Sequence, residues 1–167
     1  ALLASLEREL AEALPRRLAL VGFSKGAAVL GALLREGADE ADFWSRPEAV
    51  HFVDAGLTIP GVFPVGDKEL LELRGHVPEG FAVWLHGTPR QMQDPSRPFV
   101  AEEADAFAAR CEAAGLRVER RGYAEGQAPS LDQHFDSLRC FQTGPGDADA
   151  GDRHLGFFGA WREAAQA

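Results

Sequence analysis

The fold turns on Leu18-Ala19-Leu20-Val21-Gly22-Phe23-Ser24-Lys25-Gly26, followed without a break by Ala27-Ala28-Val29-Leu30-Gly31-Ala32-Leu33-Leu34-Arg35. An apolar run of strand length leads into a serine with glycines two before and two after it. Beyond it, Val29, Leu30, Leu33 and Leu34 recur at helical spacing up to Gly37, a C-terminal cap. Gly22-Phe23-Ser24-Lys25-Gly26 therefore reads as a strand-to-helix corner, a G-x-S-x-G nucleophile elbow. In such a corner the serine backbone is strained and its hydroxyl stands out above the sheet end, and the glycines keep side chains out of the space where strand and helix nearly touch. A glycine-rich turn that binds nothing, or that cradles a phosphate on the helix N-terminus, would carry the same five residues. The strand before and the helix after favour a nucleophile.

Outward from this corner the pattern repeats. Leu2, Leu3, Leu6, Leu10 and Leu14 predict an amphipathic helix stopped by Pro15. Strands are predicted over 18–22, from Ala49 to Asp54 and from Phe81 to His86, with a half-covered fourth carrying Leu116, Val118 and Arg120. Between them come the elbow helix, a short helix from an Asp67 cap to Leu73 that Gly75 ends, and a helix opened by Pro98 with Val100, Ala104, Phe107, Ala108 and Cys111 inward. Ser130 and Gln133 form a capping box for a helix through Phe141, with Leu131, Phe135 and Leu138 as its inward face. A loop over 144–152 and a last helix over 155–164, packed by Phe157, Phe158 and Trp161, complete the chain. Strands alternating with helices predict an α/β protein: a mainly parallel sheet with helices on both faces, about four strands after a first helix, in one domain spanning 1–167.

Composition narrows the function. With 167 residues, 46% hydrophobic and 26% charged, there is chain enough for one core. A net charge of -9, with Arg16-Arg17 and Arg120-Arg121 as isolated basic pairs, argues against a nucleic-acid partner. Cys111 and Cys140 do not resemble a disulfide framework, which fits an intracellular, reduced compartment. No run approaches the 18 or so apolar residues of a membrane span. No targeting signal is visible, and the chain opens on Ala1 without a methionine.

A serine hydroxyl needs a histidine to take its proton and a carboxylate to hold that histidine in the right tautomer. In parallel sheets functional groups gather beyond the carboxyl ends of the strands, where Ser24, Asp54 and Asp94 are all expected. His134, past the last strand at the mouth of a helix, is the expected base. For the acid, Asp94 in the long loop after the third strand is preferred, with Asp54 as the alternative. Asp94 could instead start a turn before Pro95, and Asp54 could cap its own turn. The Lys25 backbone N–H would serve as an oxyanion donor at the positive end of the elbow helix. Phe23 and His86 would line the pocket. His51, His76 and His154 read as surface or packing residues. No pair of histidines has zinc-site spacing, and no metal or other cofactor is expected.

Four blocks together resemble one family: Leu20-Val21-Gly22-Phe23-Ser24-Lys25-Gly26; His51-Phe52-Val53-Asp54-Ala55-Gly56; His86-Gly87-Thr88-Pro89-Arg90-Gln91-Met92-Gln93-Asp94-Pro95; and Ala128-Pro129-Ser130-Leu131-Asp132-Gln133-His134-Phe135. It is the family of the human chromosome 2 open reading frame 69 protein, over roughly residues 15 to 141. The resemblance implies an α/β-hydrolase fold, a serine hydrolase acting on an ester, thioester or amide of a small acyl-type substrate, and a mitochondrial location. It places the nucleophile at Ser24 and the base at His134, and leaves the acid between Asp94 and Asp54. Because the elbow strand of that fold lies mid-sheet, Leu18 to Phe23 is expected to be an unprotected edge here, and the chain to be the C-terminal half of a longer domain. The rival expectation is a catalytically silent, hydrolase-like scaffold that binds a protein partner.

Overall fold

How deeply each strand is buried follows its place in the sheet. The computed structural model describes residues 18–141 and gives one four-stranded parallel sheet in the order β1-β2-β3-β4. β2 (Pro47–Val53) and β3 (Ala82–Gly87) are buried almost throughout and take the centre. β1 (Leu18–Phe23) and β4 (Arg117–Gly122) are partly exposed and take the margins. Among the described residues β1 has β2 as its neighbour on one side and none on the other, as the edge expectation requires, and Val21 stands 46% exposed.

The crossovers run through α1 (Gly26–Glu36), the single turn α2 (Ala41–Trp44), α3 (Asp67–His76), the single turn α4 (Pro89–Met92) and α5 (Phe99–Ala113); α6 (Leu131–Arg139) follows β4. Right-handed crossovers stepping one way across a sheet put their helices on one side. Accordingly Leu30 and Leu34 of α1, Leu70 and Leu73 of α3 and the α5 stripe share one core with Val50, Phe52, Val83 and Leu85. The five α5 residues expected inward are the five found buried. At its centre Phe107 lies against Phe63 (4.7 Å, stacked) and Phe52 (5.3 Å, edge-on). The opposite sheet face carries Ala49, Ala82 and Trp84, with Phe141, just past α6, edge-on to His51 at 5.3 Å and at 5.2 Å from His86.

Local expectations shift in three places. Ala41–Trp44 forms a helical turn in a stretch with no helical pattern, pinned by fully buried Trp44, whose indole N–H donates to Gly37 O at 2.6 Å. Asp67 is the first residue of α3 rather than its cap, which is Gly66, and Gly75 lies inside the helix, which ends at His76 with extended Val77 as its C-cap before Pro78. Most consequentially, α6 is turned inside out. Its capping box forms as expected, but Gln133, His134 and Ser137 are buried while Leu131, Phe135 and Leu138 are exposed. The buried polar groups are satisfied locally: Gln133 donates to Ala128 O, and the Ser137 hydroxyl donates to His134 O. The predicted helix ahead of Pro15, the loop over 144–152 and the last helix lie outside the described residues.

Candidate functional site

The site begins with backbone. Ser24 follows β1 directly and has φ of 53°, a left-handed conformation that non-glycine residues adopt only under constraint. Part of the constraint is steric: a Cβ on Gly22 would stand 2.8 Å from Gly26 O and 2.9 Å from the Ala27 Cα, so strand and helix close to this distance only because residue 22 has no side chain. Gly26 differs from expectation, since a Cβ there would meet nothing within 4 Å. The corner is also tied to its neighbour, for Ser24 N–H donates to Val53 O at 2.9 Å. Lys25 follows as the N-cap of α1, where backbone N–H groups lack intrahelical acceptors.

The same device recurs one strand over. Asp54 follows β2 with φ of 46°, and its N–H donates to His86 O at 2.8 Å. Its side chain is fully buried. Oδ1 accepts from both the backbone N–H (2.8 Å) and the hydroxyl (2.9 Å) of Thr88, and Oδ2 lies 2.5 Å from His134 Nδ1. A carboxylate only accepts, so Nδ1 is the donor in this bond and Nε2 is the ring nitrogen turned away from Asp54. His134 is itself buried, with its ring stacked on Phe23 at 4.5 Å and met edge-on by Phe135 at 5.3 Å. Phe23 immediately precedes Ser24, so the imidazole stands at the end of β1.

The preferred acid of the sequence reading is elsewhere. Asp94 is not bonded to His134: Oδ2 accepts from Arg90 (2.6 Å) and Arg97 (3.0 Å), and Oδ1 accepts from the backbone N–H (2.9 Å) and hydroxyl (2.6 Å) of Ser96. Those hydrogen bonds, Ser96 first, hold its carboxyl well below the usual carboxylate range. Its partners lie within four residues of it, and they fix the loop after α4. Arg97 extends the knot to Leu57 O and Arg90 O. The geometry thus pairs the histidine with Asp54, the alternative, and makes Asp94 a loop clamp.

His86 lies behind the pair rather than in it. Its Nε2 is 3.0 Å from His51 Nδ1 and its Nδ1 is 2.8 Å from the Tyr123 hydroxyl, forming a buried polar file across β2, β3 and the end of β4. Burial, with the neighbouring His51 and Arg121 charges, lowers His86 to a pKa of about 3; burial and Arg121 lower His51 to about 4. Both rings are neutral at pH 7. His86 also lines a void of about 10 Å³ with Phe52, Ala55 and Met92, room for a single water. Burial pushes the Cys111 thiol up to about 12, leaving it an apolar packing group. Among the described residues no group of three or more His, Cys, Asp or Glu could hold a metal ion, and no helix is long and apolar enough to cross a membrane.

Thr88 and the His51–His86–Tyr123 file were invisible in the sequence, because each is assembled from strands that lie some 35 residues apart in the chain. The local surroundings of Asp94, by contrast, held a usable signal: Arg90, Ser96 and Arg97 could saturate its oxygens without help from another strand.

A model of the C2orf69 family matches residues 4–116. The chain belongs to the C2orf69 family. The zebrafish mitochondrial protein C2orf69 homolog is 33% identical over 130 residues, covering 74% of this chain and 38% of the relative. The mouse homolog and the human mitochondrial protein C2orf69 are each 29% identical over 122 residues, 70% of this chain and 33% and 31% of theirs. The chain thus spans about a third of the length of these curated relatives. No solved structure matches it. The stretch matched by the C2orf69 model is shorter than the expected likeness over 15–141: it holds Ser24, Asp54 and Thr88 and ends before β4 and His134.

Proposed function

We propose that this C2orf69 chain carries the nucleophile, acid and base of a serine hydrolase of the α/β-hydrolase fold, with Ser24, Asp54 and His134 in those roles. The supporting observation is the buried Asp54–His134 pair, whose imidazole stacks on the residue next to a serine in left-handed conformation. In this reading His134 Nε2 takes the Ser24 proton as the hydroxyl oxygen bonds to an ester, thioester or amide carbonyl, and passes it to the leaving group. Water then cleaves the acyl-serine by the same route. Asp54 holds the tautomer and stabilises the imidazolium. The Lys25 N–H and the N-terminus of α1 receive the oxyanion. The mitochondrial names of the relatives support a mitochondrial site of action for the whole protein.

Fluorophosphonate labelling of the full-length protein tests the proposal. Label on Ser24 that is lost in Ser24→Ala and in His134→Gln is expected. A folded full-length protein that takes no label removes the hydrolase reading and leaves the protein-binding scaffold in its place.

A further inference from the structure

Thr88 gives two donors to one oxygen, and only one of them is needed to build the turn. The backbone N–H bond to Asp54 Oδ1 would form with any residue except proline at this position. The hydroxyl bond depends on the side chain. Thr88 is fully buried, and valine would fill the same space without a hydroxyl to satisfy, so a threonine there is favoured by the bond that it makes. Donors from two atoms of one residue fix both the position of Oδ1 and the plane of the carboxylate. Oδ2 is thereby left to face a single partner, His134 Nδ1.

Resting on the proposed triad, we infer that Thr88 is a positioning residue: its hydroxyl orients the Asp54 carboxylate so that the other oxygen holds the His134 ring in line with Ser24. A threonine that only fixed the loop would matter to folding and not to the ring. The two roles separate in Thr88→Val, which keeps the shape and the backbone bond, and Thr88→Ser, which keeps the hydroxyl.

The test uses the full-length protein and two readouts: the inactivation rate and binding constant for a fluorophosphonate probe, and the proton resonance of the His134 Nδ1–H bonded to Asp54. Loss of one hydrogen bond to a charged group corresponds to a fall in inactivation rate on the order of tenfold. The expected result is that fall in Thr88→Val with the binding constant unchanged and the resonance displaced, and both restored in Thr88→Ser. If the valine variant does not fold, Thr88→Ala is compared with Thr88→Ser instead. A rate and resonance in Thr88→Val equal to those of the wild type would overturn the inference, as would equal losses in the valine and serine variants. Labelling that is present but indifferent to Thr88 removes the positioning role alone. A wild-type protein that takes no label, with a resonance that still answers to Thr88→Val, removes the hydrolase reading and keeps the positioning role.

Discussion

Asp54→Asn and Asp94→Asn, made in parallel, separate the two carboxylates that compete for the role of acid. At position 54 the amide oxygen can still accept from Thr88, which leaves the NH₂ group opposite His134 Nδ1–H, two donors at the 2.5 Å now spanned by a charge-assisted bond. The ring must flip or change tautomer, putting its proton on Nε2 where the serine proton should go. A wrong tautomer in such a triad lowers the rate about 10⁴-fold, and the lost bond to a charged group costs about 1.5–3 kcal/mol of stability. At position 94 the same substitution weakens bonds to Arg90 and Arg97 in a loop clamp. Stability should fall by about 1–3 kcal/mol with labelling nearly unchanged. Urea unfolding and fluorophosphonate inactivation rates on the full-length protein measure both effects. Labelling that survives Asp54→Asn but is abolished in folded Asp94→Asn would refute the assignment.

Further expectations follow from packing and charge. Gly22→Ala forces apart the elbow strand and its helix, where a Cβ would stand 2.8 Å from Gly26 O, at a cost of about 1–3 kcal/mol, whereas Gly26→Ala meets open space and should leave stability unchanged or raised in thermal melts. Because α6 faces its apolar residues outward, Leu138→Ser should cost about 0.5 kcal/mol or less and Phe135→Ser, whose half-exposed ring also meets His134, about 1 kcal/mol; a loss of about 3–5 kcal/mol for Phe135→Ser would mean that the ring is buried after all. His51 and His86 have folded pKa values of about 4 and about 3, lowered from 6.5, so the unfolded chain binds more protons below pH 6.5. Stability is therefore complete above that pH and declines as pH falls toward 5, by up to about 1.4 kcal/mol per unit for each ring, and a flat profile of urea midpoints across this window would contradict the buried neutral pair.

Most of the fold could be read because its determinants are local. Apolar runs entering turns at Gly22, Asp54 and Gly87 mark three strand ends, and the spacing from Val100 to Cys111 defines the buried stripe of α5. The two readings that bear most on the site changed through a contact between distant segments. Helical periodicity assigns Leu131, Phe135 and Leu138 to the interior, yet α6 turns His134 inward to reach a carboxylate eighty residues earlier, and that tertiary bond overrides the apolar moment. The same long-range contact separates Asp54 from Asp94. Both follow strands; the placement of α6 over the end of β2 selects Asp54, and the local clamp of Arg90, Ser96 and Arg97 occupies Asp94.

Ser24 N–H, Asp54 N–H and Tyr123 N–H each reach back to a carbonyl on an adjacent strand, at Val53, His86 and Gly87, carrying the ladder past the last paired residue. The offset between hydroxyl-bearing corner and acid-bearing corner is thus measured out by main chain, as graduations on a ruler. Inserting one residue within β2 would slide its far end about 3.3 Å and send the carboxylate to the wrong side of the layer. Repacking the helices could change how firmly the ruler is held, but not where its marks fall.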